Sequence, residues 1–179
     1  TLAFVMSSVE AGSALSEAVI EASARGYTEP DPYVDLSGGD VLRKALIISR
    51  VAGFKVPADA ITVEGVVPAD LAGLTRQAFF ERLRAHDAAF SARVERARQA
   101  GLALRYVASV EPHRIHVGLG EVPLRSPLGT LSGTDNMIVI SSERYAAAPL
   151  VVRGPGAGVD VTAMGVLGDI VRIVSARSR

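Results

Sequence analysis

The hydrophobic period of this chain shifts at Gly101. Before it, apolar residues recur at helical spacing; from Leu102 they alternate at period two. Residues 1–10 are expected to be helical and to end by Gly12. Ser13 is the expected cap of a second helix over about 14–25, with Leu15, Ala18, Val19 and Ala22 on its apolar side and Gly26 as its C′ residue. Phe79, Phe80 and Leu83, then Phe90 and Val94, predict two helices over about 75–84 and 87–100, broken near His86. A strand is predicted over 60–67, and further strands over 104–110, 114–119, 137–141 and 150–153. Short polar turns join the later strands, so at least part of the sheet must be antiparallel. The expected class is α/β of the α+β kind: a mixed, partly antiparallel sheet covered by helices.

Composition removes several function classes. The 179 residues suffice for a real core, and 19 basic residues balance 19 acidic ones. No basic face is implied, so nucleic acid is not an expected partner. The mixed charges between Arg76 and Arg98 read as a solvated face. Cysteine is absent, which excludes a disulfide framework, a thiolate nucleophile and a Cys-ligated metal. His113 and His116 lie in a strand-like run without acidic ligands beside them, so no metal is assigned. No apolar run reaches a membrane-spanning length and no signal peptide is evident, so a cytoplasmic protein away from the membrane is expected.

Chemistry concentrates between Tyr27 and Lys44. Pro30 and Pro32 remove two backbone donors and hold Glu29 and Asp31 extended. Four carboxylates, Glu29, Asp31, Asp35 and Asp40, precede or open a helix expected to start at a Ser37 cap and stop at Gly53. Asp40 and Lys44 share one helical face, acid N-terminal to base. Such a pair is by itself usually a solvated contact. Here Ile47, Ile48 and Val51 continue the same face, while Arg43 and Arg50 mark another stripe as the water-facing one. Lys44 is therefore expected in partly apolar surroundings, where an ammonium loses some of its pKa and becomes a proton donor and acceptor near neutral pH. An acid-rich loop aimed at such a lysine suits a small cationic, hydroxylated substrate such as an amino acid.

Gly26-Tyr-Thr-Glu-Pro-Asp-Pro32, followed by Asp35-Leu-Ser-Gly-Gly-Asp40-Val-Leu-Arg-Lys44, resembles the signature of homoserine dehydrogenases. The form is close to yeast-type enzymes and to bifunctional aspartate kinase–homoserine dehydrogenases, and the likeness runs over nearly the whole chain. It implies reduction of L-aspartate 4-semialdehyde to L-homoserine with NADP or NAD, on the way to threonine and methionine. It further implies that Lys44 exchanges the proton, that Asp40 binds the reacting end of the substrate, and that Glu29 meets its amino group. Tyr27 matches a position near the substrate, Asp35 a supporting carboxylate, and Thr1 a position near the substrate carboxylate. Tyr33-Val34 departs from the pattern, which has arginine and a second aspartate there.

Gly154-Pro-Gly-Ala-Gly158, leading to Val161-Thr162-Ala163, is the second candidate. Glycines before a helix let backbone N–H groups approach an anion. The resemblance makes Gly158 and Thr162 contacts to the nicotinamide dinucleotide. Ser132–Asn136 reads as a structural turn. The opening Thr1-Leu2-Ala3 reads as the continuation of a helix, so a Rossmann-type domain that binds most of the cofactor is expected upstream. Residues 1–153 would then form a catalytic, substrate-binding and dimerisation domain. Residues 154–179 would form a glycine-rich turn and a helix, apolar over half its circumference, that packs against the cofactor domain. A homodimer is expected from the resemblance. The competing expectation is a non-catalytic binding or dimerisation module derived from the same family.

Overall fold

The computed structural model describes residues 1–156 and 159–177. The chain divides into two units, Thr1–Gly133 and Thr134–Arg179. Elements of the first unit are α1 (Leu2–Glu10), α2 (Leu15–Ala24), α3 (Pro32–Leu36), α4 (Gly39–Val51), β1 (Ile61–Val63), α5 (Arg76–Leu83), α6 (Asp87–Gln99), β2 (Leu102–Glu111) and β3 (Arg114–Pro123). Those of the second are β4 (Asp135–Ile140), β5 (Leu150–Pro155) and α7 (Val159–Arg177).

The sheet of the first unit has strand order β1-β3-β2. β2 and β3 form an antiparallel pair in which Leu104 faces Glu121 and Val110 faces Ile115. β1 runs parallel to β3, with Ile61 beside Ile115. The sheet is thus mixed and partly antiparallel, with helices packed on it, as the change of period predicts. In the second unit β4 and β5 form a separate antiparallel ladder, Ile138 opposite Val152.

Two apolar clusters flank β2. The larger gathers Val5 and Val9 of α1, Leu15 and Val19 of α2, Leu36 of α3, Phe79 and Leu83 of α5, Phe90 of α6 and Leu104 of β2. The smaller packs Ala45 of α4 on Ile115 and Val117 of β3. Tyr106 touches both. Apolar side chains of α2 expected inside are buried, because positions three and four apart fall on one face of a helix.

Three local expectations need correction. The strand over 60–67 shortens to β1. After Glu64 N–H reaches Val117 O, Val66 N–H turns to Leu36 O at 2.8 Å instead, and Val66 and Val67 join the helical cluster. Ser13 does not cap α2; the N-cap is Ala14, whose N–H donates to Glu17. The charges of α5 and α6 are not all solvated: Arg93 donates to Leu119 O at 3.2 Å, and Arg76 is likewise engaged.

Arg105, on β2, has only 8% of its side chain exposed. Its guanidinium pairs with Glu10 at 2.6 Å and donates to the carbonyls of Leu104, Leu128 and Gly129. It therefore ties the end of α1 and the loop after β3 to the sheet. A strand residue on a period-two pattern gives no sign of this, because the acceptors come from two distant segments. Arg105→Met leaves Glu10 and two loop carbonyls without their donor. It is expected to lower stability by about 3 kcal/mol. Urea unfolding of the full-length protein should show the lowered midpoint, and a midpoint within error of wild type would contradict it.

Candidate active site

The loop after α2 is ordered by a short helix that the two prolines conceal. Asp31 is the N-cap of α3, its carboxylate accepting Tyr33 N–H at 3.0 Å, and Pro32 occupies the first turn, where no N–H is needed. Ser37 closes α3 rather than capping α4: its Oγ donates to Val34 O at 2.7 Å and only reaches Gly39 N–H at 3.4 Å. The N-cap of α4 is Gly38, at φ +81°, with no side-chain cap. The Ser37 capping expectation failed because α3 already uses that hydroxyl.

Gly38 is required twice over. Its left-handed backbone favours glycine, and a Cβ there would lie 1.9 Å from the Tyr106 hydroxyl. That hydroxyl donates to Glu64 O at 2.7 Å. Burial, with a smaller contribution from Glu64, pushes the Tyr106 phenol up to about 12, so it stays a donor. The position where α4 begins is thus set by a tyrosine of β2 and by the segment after β1.

Asp35, on α3, gathers three of the expected site residues. Its Oδ1 accepts Thr1 Oγ1 at 2.9 Å, and its Oδ2 accepts Glu29 N–H at 2.8 Å. Thr1 Oγ1 also contacts Tyr27 O. The Tyr27 ring rests edge-on against Phe4, 5.3 Å between centroids. Glu29 is exposed, and among the described residues its carboxylate has no hydrogen-bond partner. It is available to a cation.

On α4, Lys44 Nζ lies 2.8 Å from Asp40 Oδ2, and Arg43 lies 3.6 Å from Oδ1. The hydrogen bond from Lys44 holds the Asp40 carboxyl below its usual range; desolvation opposes it, and the charges of Lys44 and Arg43 add to the lowering. The pair is therefore an ionised carboxylate orienting an ammonium. The expected apolar surroundings are not supplied by this chain: the Lys44 side chain is 64% exposed. Ile47 and Val51 on the same face are 58% and 84% exposed. α4 instead turns Ala45 and Ser49 inward. Small residues let the helix approach β3 closely, so the bulky stripe is left outside.

The two cofactor candidates fall differently. Gly158 lies outside the described residues. Thr162 is exposed in the opening turns of α7. The turn read as structural braces this region: Asp135 pairs with Arg153 at 2.9 Å, and a Cβ on Gly156 would meet the Asn136 amide at 1.3 Å. The first turn of α7 offers N–H groups without intrahelical acceptors, together with the Thr162 hydroxyl. Asp160 in that turn opposes a phosphate but can accept from a ribose hydroxyl. Such donors and acceptors can meet a phosphate or a ribose hydroxyl.

Sequence reasoning missed Gly38 and Tyr106. Two consecutive glycines ahead of a helix were the available signal for the first; Tyr106 is one strand residue among many, and carried none.

A family model described as homoserine dehydrogenase matches residues 1–171. The homoserine dehydrogenase of Emericella nidulans is 42% identical over 167 residues, 89% of this chain and 45% of that protein. The chloroplastic bifunctional aspartokinase/homoserine dehydrogenase of Daucus carota is 40% identical over 178 residues, 98% of this chain and 19% of that protein. The crystal structure of a Candida auris protein of unknown function superposes with a TM-score of 0.85 at 35% identity, over 97% of this chain and 51% of that one. This chain therefore spans less than half the length of these two curated relatives.

The Tyr106 phenol carries a pH signature. A raised folded pKa contributes stability that is whole below the unfolded value near 10 and is lost as pH rises through about 12. Tyr106→Phe should cost about 1 kcal/mol at pH 8 for the lost hydrogen bond. The difference from wild type should shrink steadily above pH ~10. Urea titrations between those values measure it; a constant difference would mean the phenol ionises as it does in the unfolded chain.

Proposed function

This chain belongs to the homoserine dehydrogenase family, and from that membership we propose that it supplies the substrate-binding and proton-transfer part of an enzyme interconverting L-aspartate 4-semialdehyde and L-homoserine. The observation that carries the reading is the Asp40–Lys44 pair, 2.8 Å apart on α4 and directly after the segment in which Asp35 holds Glu29 and Thr1. A carbonyl reduction needs a positioned proton donor beside a site that fixes the substrate, and these residues provide both.

The dinucleotide, NADP or NAD, supplies the hydride when bound. The residues of this chain do the rest. Glu29 binds the substrate ammonium through a charge-assisted hydrogen bond. Thr1, with its hydroxyl tied to Asp35, lies toward the substrate carboxylate, and Tyr27 borders the same space. Lys44 gives its proton to the carbonyl oxygen as that oxygen becomes an alkoxide, and takes it back in the reverse direction. Asp40 stays ionised and aims the ammonium. Thr162 and Gly158 contact the cofactor from this side, with most of its binding provided by a nucleotide-binding portion outside residues 1–179. The relatives, more than twice as long, support that division. Closure of such a portion over Ile47, Ile48 and Val51 would remove water from around Lys44.

Residues 154–179 belong to that closure in the same proposal, and residues 1–153 to substrate binding and assembly. Met164, Leu167, Ile170 and Val171 on α7 are each at least half exposed, at 65%, 51%, 52% and 56%. They give the helix an apolar surface suited to a second domain. Pairing of two copies through the sheet face that carries Thr62, Ser109 and His116, turned away from Ala45, completes the reading.

Lys44→Ala in the full-length enzyme should lower kcat for homoserine oxidation by at least about 100-fold with the fold intact. Turnover near wild type would remove Lys44 from the mechanism and favour the non-catalytic module. Glu29→Gln keeps shape and loses charge. It should raise KM for homoserine several-fold while kcat changes little, as for lost uniform binding. An unchanged KM would take the ammonium away from Glu29.

A further inference from the structure

Arg76 opens α5, directly after its N-cap Thr75. A cation there opposes the helix dipole, so α5 itself gains nothing from it. Its guanidinium is directed backwards along the sequence. Nη1 donates to Pro30 O at 3.2 Å, Nη2 donates to Ser23 Oγ, and the guanidinium carbon stands 5.5 Å from the centre of the Phe80 ring. Ser23 Oγ is in turn 2.9 Å from Thr28 Oγ1. One side chain therefore holds the residue after Glu29 directly and the residue before it through a single hydroxyl. From the opposite direction, Asp35 fixes the Glu29 N–H at 2.8 Å. The backbone of Glu29 is secured on both flanks and at its own amide, while its carboxylate is left free for a ligand.

We propose that Arg76 is a positioning residue for Glu29, bracing the loop so that the carboxylate is already placed when the substrate ammonium arrives. This rests on Glu29 being the ammonium ligand. The segment from Tyr27 to Asp31, between α2 and α3, has no ladder of its own, and ordering it only on binding would subtract from affinity. The planar fork of arginine suits the task, since one group reaches a carbonyl and a hydroxyl at fixed divergence while its face lies on an aromatic ring. Lysine has no such fork.

The test uses full-length enzyme carrying Arg76→Met, which keeps an unbranched apolar chain over Phe80 and removes the donors. KM for homoserine should rise about tenfold with kcat within about twofold. KM for the dinucleotide should not move; general damage would shift it too. Arg76→Lys should fall between the two. Amide exchange followed by NMR gives a second readout that needs no substrate. The Glu29 N–H should exchange faster in Arg76→Met, with the amides of β2 and β3 unchanged. If Glu29 exchange is unaltered, the brace does not exist and the proposal is overturned. Faster exchange with unchanged KM, in an enzyme where Glu29→Gln does raise KM, overturns the positioning role alone. If Glu29→Gln also leaves KM unchanged, the ammonium assignment has failed and the proposal falls with it.

Discussion

The contact between the Tyr106 hydroxyl and Gly38 is the constraint on which the site depends. Tyr106 touches both apolar clusters and its hydroxyl is held by Glu64 O at 2.7 Å. It therefore sets a hard surface at the junction of α3 and α4. Only a residue without a Cβ can lie against that surface, and only glycine takes the left-handed backbone there at no steric cost. On the same junction, Val66 N–H holds Leu36 O at 2.8 Å, and a Cβ on Gly65 would lie 2.9 Å from Val67 O and 3.2 Å from Leu36 O. Two chain crossings without side chains bring α3 and α4 together, so Asp35 at the end of one helix and Asp40 at the start of the next act in sequence.

The electrostatics follow from that junction. Asp35 spends its carboxylate on Thr1 and on the Glu29 amide, which makes it a spacer between backbone segments rather than a free charge. Asp40 spends its own on Lys44 and Arg43. Glu29 is the carboxylate of this segment left over, exposed and unclaimed among the described residues. α4 packs on the sheet through Ala45, flanked by the half-buried Val41, Leu42 and Leu46, and leaves Ile47, Ile48 and Val51 open to water.

Much of this was legible in the sequence. The helices, the later strands and the mixed sheet follow from a hydrophobic period that changes at Gly101, because the side-chain repeat of a helix or strand is a local property. The family followed from a motif whose residues are close in sequence, from Gly26 to Lys44. The face of α4 that would be buried was misread: Ile47, Ile48 and Val51 lie nearest the Asp40–Lys44 line, yet they are exposed, and the helix packs on the sheet through Ala45 instead.

By itself, the sequence determined which residues carry charge and hydroxyl groups around the site, the spacing that pairs Asp40 with Lys44, and the elements on which they stand. Tertiary structure alone decided what those groups are bound to. Arg105 became a buried clamp on Glu10, Arg76 reached back 46 residues to Pro30 O, and Tyr106 reached Glu64 O across 42. Each of these depends on an acceptor supplied by another segment. A backbone carbonyl is the same in every residue, so no pattern of side chains announces which one a distant donor will find.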